Sequence, residues 1–396
     1  MKRRHVLRTA SGIAAAGVLG TTITGTAAAD CDVVTPNGPF PPETAEENYE
    51  AFTSNETLYD RLHQLENRTN VEYEELGETW QGRPIPYAKV GSGDFHIFHT
   101  NQQHGDEQPA TEAALRVLRD LGNGQGRSDI LDELTIHFLV RHNPDGWAPA
   151  DDNETPTRSN GRPDDICHDG PYFGRNQCGP SDPNRQHYFQ FNEETLAEVD
   201  GDAFDEEIGI PDENPSPETQ AMIDKVEEVD ADLIVDWHTQ FTYHDQNCDM
   251  VNVSLAWPFN PHAPDDAVNL SKQVAGAFWD GVQGRANGNA SIFPGGTTAN
   301  ICRNAYGVAG RGSVLVEQRG QAPELNNASN GRIIRHSLNM YERLHEEAAS
   351  GDLTERDPDY ADGLWDVGRD WFWRDLPSAD LDEEVEEYWE EHLNSH

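Results

Sequence analysis

Short apolar runs alternate along this chain with longer stretches in which apolar residues recur every three or four positions. Residues 71–76, 85–90, 95–99, 134–140, 233–237, 251–255 and 313–316 read as strands. The runs at 134–140 and 233–237 are apolar enough to be buried on both faces. Helical spacing marks 56–65 through Leu58, Leu62 and Leu65, then 110–121, 217–229, 265–282 and 331–349. Strands alternating with helices predict an α/β fold with a mixed or largely parallel central sheet and helices on both faces. No internal repeat interrupts that pattern.

Polar residues sit where the strands stop. After 95–99 comes His104-Gly105-Asp106-Glu107, placed where strand gives way to helix, and α/β folds put chemistry at such junctions. A histidine and a glutamate three residues apart on a turn or opening helix point the same way, which suits two ligands of one divalent metal. By itself, His-x-x-Glu is more often a solvated loop. The run 134–140 leads into Asn143-Pro144-Asp145-Gly146, a sharp corner. The run 233–237 ends at His238, and 313–316 ends at Glu317. His104, Glu107, His238 and Glu317 therefore all fall at or just beyond the ends of buried strands, a spatial cluster on pattern alone. Two imidazoles and a carboxylate leave a fourth zinc position for water, and Glu317 is the candidate to take that water's proton.

Charge changes the picture of habitat. The 396 residues carry 72 Asp and Glu against 28 Lys and Arg, a net charge of −44, and only Lys2, Lys89, Lys225 and Lys272 are lysines. Such self-repulsion needs dense counterions, which points to a high-salt setting. Binding to nucleic acid is excluded as an expectation, because no basic footprint exists. Nine Trp and fourteen Phe supply a core, so the acidity does not imply disorder.

Residues 1–29 open with Arg3-Arg4, continue through a weakly apolar Ala/Gly/Val/Ile stretch and end in Ala27-Ala28-Ala29, which looks like a twin-arginine export signal. Its removal takes away Lys2, Arg3, Arg4 and Arg8, moving the charge from −44 to about −48. The stretch is too short and Gly/Thr-rich to span a membrane permanently, so an extracellular, released monomer is expected. Residues 30–47 read as a linker, 48–350 as the catalytic domain and 351–396 as an acidic C-terminal extension holding Trp365, Trp371, Trp373 and Trp389. Between 147 and 220 the chain is polar and rich in Gly, Pro, Asp and Asn, as in a functional loop system. A disulfide between Cys167 and Cys178 would suit such a loop; Cys248 and Cys302 are either a second bridge or small buried residues, Cys31 lies just past the cleavage site, and with five cysteines outside the cell at least one is left over. His99, His137, His142, His187 and His244 are taken as structural or exposed, and Asp106 as a surface acid.

In that order the motifs resemble the zinc carboxypeptidases, or funnelins, here of a haloarchaeal type. The resemblance spans roughly residues 48–349: His104 to Glu107, Asn143 to Gly146, Asp182-Pro183-Asn184-Arg185, His238 ending a buried strand, and Glu317 within Val314-Leu315-Val316-Glu317-Gln318-Arg319-Gly320. It implies one Zn2+ per chain on His104, Glu107 and His238, with Glu317 as general base handing its proton to the leaving amine. Asn184 and Arg185 would hold the terminal carboxylate of a peptide or protein substrate, Arg185 through a two-pronged ion pair. Asp182 would orient His104 through its far nitrogen. Arg175 is the expected oxyanion arginine, with Arg158 the alternative. Family members commonly carry a tyrosine four residues before a Gly-Gly pair; here Ser291 stands at that distance from Gly295-Gly296, with Phe293 nearest in character and Arg303, Asn304 or Tyr306 as possible pocket lining. The implied activity is a secreted metallocarboxypeptidase. An aspartoacylase-like deacylase of N-acyl amino acids and an inactive metal-binding relative are the alternatives.

Overall fold

The computed structural model describes residues 52–124, 127–152, 154–166, 178–187, 193–199, 215–240, 249–285, 287–292, 297–320 and 328–364. Among them eight strands form one sheet: β1 (Glu72–Glu78), β2 (Pro84–Gly91), β3 (Phe95–Asn101), β4 (Leu134–Leu139), β5 (Leu233–Gln240), β6 (Val253–Ala256), β7 (Ala290–Ile292) and β8 (Gly312–Arg319). The helices are α1 (Asn55–Arg68), α2 (Pro109–Gly122), α3 (Ser128–Leu131), α4 (Pro144–Asp151), α5 (Glu193–Val199), α6 (Pro217–Glu228), α7 (Asp265–Val282), α8 (Cys302–Val308), α9 (Ala328–Ser350) and α10 (Asp359–Asp362).

The strand order is β1-β2-β4-β3-β5-β8-β6-β7, and the four central strands β4, β3, β5 and β8 run parallel. Antiparallel pairs flank them, β1 with β2 and β2 with β4 on one side, β6 with β8 on the other, so the sheet is mixed as expected. Every residue of β5 and β8 is buried, which is why both read as apolar runs rather than alternating ones. The pleat still sorts their side chains. Leu233, Val235, Trp237, Val314 and Val316 join the larger core with Leu58 and Leu62 of α1, Leu118 of α2, Phe278 of α7 and Tyr341 of α9. Ile234 faces the other way, into a second core with Phe98, Leu139, Met222, Val226, Cys302 and Tyr306. Asp236 and His238, at two-residue steps from Ile234, share that second face.

Several elements differ from the pattern reading, each for a physical reason. β5 and β8 continue past their apolar runs because their polar tips pair in register, His238 with Glu317 and Gln240 with Arg319. The corner at Asn143 is the cap of α4: the Asn143 side chain accepts a hydrogen bond from the Gly146 amide at 2.8 Å, and Pro144 takes the first helical position. The three-residue β7 is too short to show a period. α8 looks solvated in sequence through Arg303 and Asn304, yet both are buried, Arg303 lying 5.6 Å from the Phe259 ring centroid.

No helix among the described residues is long and apolar enough to cross a membrane. Residues after α9 pack back onto the domain: Leu353 and Ala361 enter the larger core, and Arg356 bridges Glu347 and Asp280. The export segment, the linker and the four tail tryptophans lie outside the described residues. Cys178 is disulfide-bonded. Cys302 is a free, buried thiol, which excludes the bridge to Cys248 and leaves the small-buried-residue reading. Cys31, Cys167 and Cys248 lie outside the described residues.

Candidate active site

The loop after β3 is set by Gln102, a non-glycine residue held at φ 59°, in the left-handed region. Three hydrogen bonds fix it. Its side-chain Oε1 accepts from Arg141 Nε and Thr111 Oγ1, each at 2.8 Å, and its side-chain Nε2 donates to the Gly105 carbonyl at 2.7 Å. Gly105 packs so closely on α4 that a Cβ there would fall 2.1 Å from the Gly146 carbonyl carbon. This loop presents His104 and Glu107 over the end of the sheet, and β5 presents His238 beside them.

The three side chains converge. His104 Nδ1 lies 2.9 Å from Glu107 Oε1 and 2.9 Å from His238 Nδ1, and His238 Nδ1 lies 3.0 Å from Glu107 Oε2. One donor atom from each lies within 4.8 Å of the others, and all three residues are buried. The Thr239 amide donates to Glu107 Oε2 at 2.8 Å, orienting the carboxylate. Each imidazole is also anchored from behind. His104 Nε2 meets Asp182 Oδ1 at 3.0 Å, and His238 Nε2 meets Asp236 Oδ1 at 2.9 Å. Gln103 Nε2 in turn donates to Asp236 Oδ1 at 2.7 Å.

Electrostatics agree with the geometry. Burial would raise the Glu107 carboxyl, but the two imidazoles outweigh it and hold the group well below the carboxylate range. Burial would lower His238, yet Asp236 and Glu107 raise it well above the imidazole range. The same negative field would attract a divalent cation, which would replace the shared protons as it bound. The donor set, two imidazoles and one carboxylate with their far sides braced by carboxylates, fits zinc.

Glu317 is 2% exposed and stands on the same face of the sheet as His238, paired with it across β5 and β8. Burial, with Glu107 adding to it, pushes its carboxyl up to about 7 against the pull of His238, His104 and Arg158. Arg158 reaches the same place: Nε lies 3.0 Å from Asp182 Oδ2 and Nη1 lies 3.6 Å from Glu107 Oε1. Its Nη2 has no hydrogen-bond partner among the described residues. Arg175 lies outside the described residues.

Asp182, Asn184 and Arg185 come in on a short 3-10 turn, Pro183–Arg185. Asn184 is fixed by the Cys302 amide, which donates to its Oδ1 at 2.9 Å, and its Nδ2 lies 3.3 Å from His238 Nε2. Arg185, beside it, is 8% exposed.

The remaining histidines are structural where described. His99 contacts His345 and the Trp237 indole, His137 the Tyr87 hydroxyl, and His187 the Gln103 side chain, while His244 lies outside the described residues. Asp106 is not a surface acid: it is half-buried, and burial raises its carboxyl to about 6. Ser291 is buried in β7, and Phe293 lies outside the described residues. Asp236 was not singled out from sequence, although a lone carboxylate inside an apolar run, two residues before a candidate ligand, was a usable signal.

A family model described as zinc carboxypeptidase matches residues 58–307 and stops short of Glu317. No curated protein matches the chain in sequence. Among solved structures, the metallo-carboxypeptidase of Burkholderia cenocepacia is similar at 15% identity and TM-score 0.51, covering 75% of this chain and 69% of that one. Bovine thrombin-activatable fibrinolysis inhibitor, solved with tick carboxypeptidase inhibitor, is similar at 15% identity and TM-score 0.53, covering 76% of this chain and 99% of that one. Carboxypeptidase A of Helicoverpa armigera follows at 16% identity and TM-score 0.50, covering 76% and 75%. At these identities the likeness is one of fold.

Proposed function

This chain belongs to the zinc carboxypeptidase family, and on that premise we propose that it hydrolyses the C-terminal peptide bond of extracellular peptides. The observation that carries this reading is the convergence of His104, Glu107 and His238 with Glu317 paired beside them. His104 Nδ1, His238 Nδ1 and the Glu107 carboxylate would hold one zinc ion. When bound, zinc supplies Lewis acidity, lowering the pKa of water to about 7 and polarising the scissile carbonyl.

The chain's own residues do the rest. Glu317 takes the proton from the attacking water and delivers it to the amine nitrogen as the C–N bond breaks. Asp182 and Asp236 keep the two imidazoles in the orientation and tautomer that ligation needs. The Arg158 guanidinium, poised between Asp182 and Glu107, is the group we assign to the developing oxyanion. Asn184 and Arg185 recognise the free terminal carboxylate, which makes the reaction a C-terminal one. Secretion through the twin-arginine route and work in high salt are supported by Arg3-Arg4 and the net charge of −44.

The reading is tested by loading the protein with zinc in molar salt, offering a panel of unblocked peptides and N-acyl amino acids, and repeating after chelation. Stepwise loss of C-terminal residues that stops with the chelator is the expected outcome. Turnover of N-acyl amino acids alone, or none in either case, would refute it.

A further inference from the structure

We propose that Arg319, with Gln240 beside it, receives an acidic side chain of the substrate two residues before the scissile bond, an inference that rests on the C-terminal hydrolysis proposed above. β8 sets the direction of this arginine. Val314 and Val316 enter the larger core, and Gln318 donates to Ser337 of α9 on that same side, so Glu317 and Arg319 share the opposite face. Arg319 pairs in register with Gln240 of β5, one two-residue step beyond the pair His238 and Glu317. The four polar side chains thus form two rows across adjacent strands, about 7 Å apart.

Charge sets the outer row apart. Arg319 is 1% exposed, its Nη1 donates to the Gly320 carbonyl at 3.3 Å, and its Nε has no hydrogen-bond partner among the described residues. No carboxylate among them pairs with it, although the chain holds 72 Asp and Glu. The charge that bears on it is a second cation, Arg332 near the start of α9, and burial with that repulsion brings its guanidinium down from the ordinary 12.5 to about 10. Other buried arginines differ: Arg141 donates to Gln102, Asn55 and Thr53, and Arg158 holds Asp182. Gln240, also buried, donates to Ser254 Oγ at 3.0 Å and keeps an Oε1 without a partner among the described residues. A buried cation without an anion is costly, so a ligand that supplies one binds there with gain.

The row calls for an anion with a donor beside it. A glutamate or aspartate within a peptide offers both, its carboxylate to Arg319 and a backbone N–H to Gln240 Oε1, whereas a bare inorganic anion offers no donor. Direction then identifies the subsite. Asn184, proposed to hold the terminal carboxylate, reaches His238 at Nε2, the nitrogen that faces Asp236. Asp236 and Gln240 lie two residues to either side of His238 on β5. A substrate anchored at Asn184 and Arg185 and crossing Glu317 therefore runs its N-terminal part outward, toward Gln240 and Arg319. An extended peptide advances about 3.5 Å per residue, so the step between the rows corresponds to two residues. Burial of Arg319 is no bar, since Glu317 at 2% exposed must meet the same substrate.

The test compares three peptides that differ only in carrying Glu, Gln or Lys at the second residue before the C-terminal bond. Release of the last residue is followed with zinc-loaded protein, and equilibrium binding with the zinc-loaded Glu317→Gln protein. The Glu peptide should exceed the Gln peptide about tenfold in kcat/KM and in affinity, with the Lys peptide lower still. Arg319→Gln should bring the Glu-to-Gln ratio to within about twofold, and Arg319→Lys, which keeps the charge without the planar fork, should keep Glu ahead by a smaller factor. Release from all three peptides at one rate would overturn the proposal and leave the hydrolysis reading standing. Binding in the order Glu, Gln, Lys with no release from any would do the reverse. A Glu preference that survives Arg319→Gln would overturn the assignment to Arg319, and equal binding of the three would overturn it in favour of a free inorganic anion.

Discussion

His238 and Glu317 stand opposite each other on adjacent parallel strands, both buried and both on the face of the sheet that carries Asp236. One backbone ladder therefore fixes the distance between a proposed metal ligand and the proposed base.

Because that ladder survives a side-chain change, Glu317→Gln should leave the fold and the zinc stoichiometry intact. Turnover should fall by about 10²- to 10⁴-fold, the usual contribution of a positioned general base. Steady-state kinetics with elemental analysis on the same sample would decide it. A variant that binds one zinc and keeps its rate contradicts the assignment.

The carboxylates behind the imidazoles should matter nearly as much for the metal. Asp236→Asn and Asp182→Asn each remove the charge 2.9 or 3.0 Å from a histidine proposed to bind zinc. Zinc affinity should drop roughly 10- to 100-fold in each. Competition with a chelating dye measures this directly, and unchanged affinity in both variants would show that the histidines need no such support.

The sheet and its polar tips were legible because burial on both faces writes strands such as 233–237 as continuous apolar runs, ended by a polar residue. His238 and Glu317 announced themselves as those endings. Asp236 was hidden inside such a run, since an apolar stretch draws attention away from the one charge it tolerates. α8 was illegible because its Arg303 and Asn304 carry the signature of a wet surface while lying buried.

The pH profile should report Glu317. Burial pushes its carboxyl up to about 7, and a cation on the three ligands pulls it down, so the acid limb of kcat/KM should lie at or below about pH 7. The base works when ionised, so the rate rises with pH through that limb. A limb centred well above 7 would assign the titration to another group.

Glu218, in the first turn of α6, is 1% exposed, and burial raises its carboxyl from the ordinary 4.5 to about 7. A raised folded value means the native state holds its proton more tightly than the unfolded chain. That contribution is complete below about pH 4.5 and is lost as pH rises through about 7, where an ionised buried carboxylate is left. Glu218→Gln should therefore stabilise the fold by up to ~3 kcal/mol at pH 8 and change little at pH 4. Denaturant titrations at the two pH values check the sign, and an equal effect at both would show that Glu218 is not titrating.

The most direct test of the central claim pairs two peptides of one sequence, one with a free C-terminal carboxylate and one amidated, with zinc-loaded protein and product masses as the readout. The account predicts loss of single residues from the free peptide and at least about a hundredfold slower loss from the amide, because Arg185 and Asn184 would have no carboxylate to hold. Equal cleavage of the two, or cleavage only at internal bonds, would contradict it.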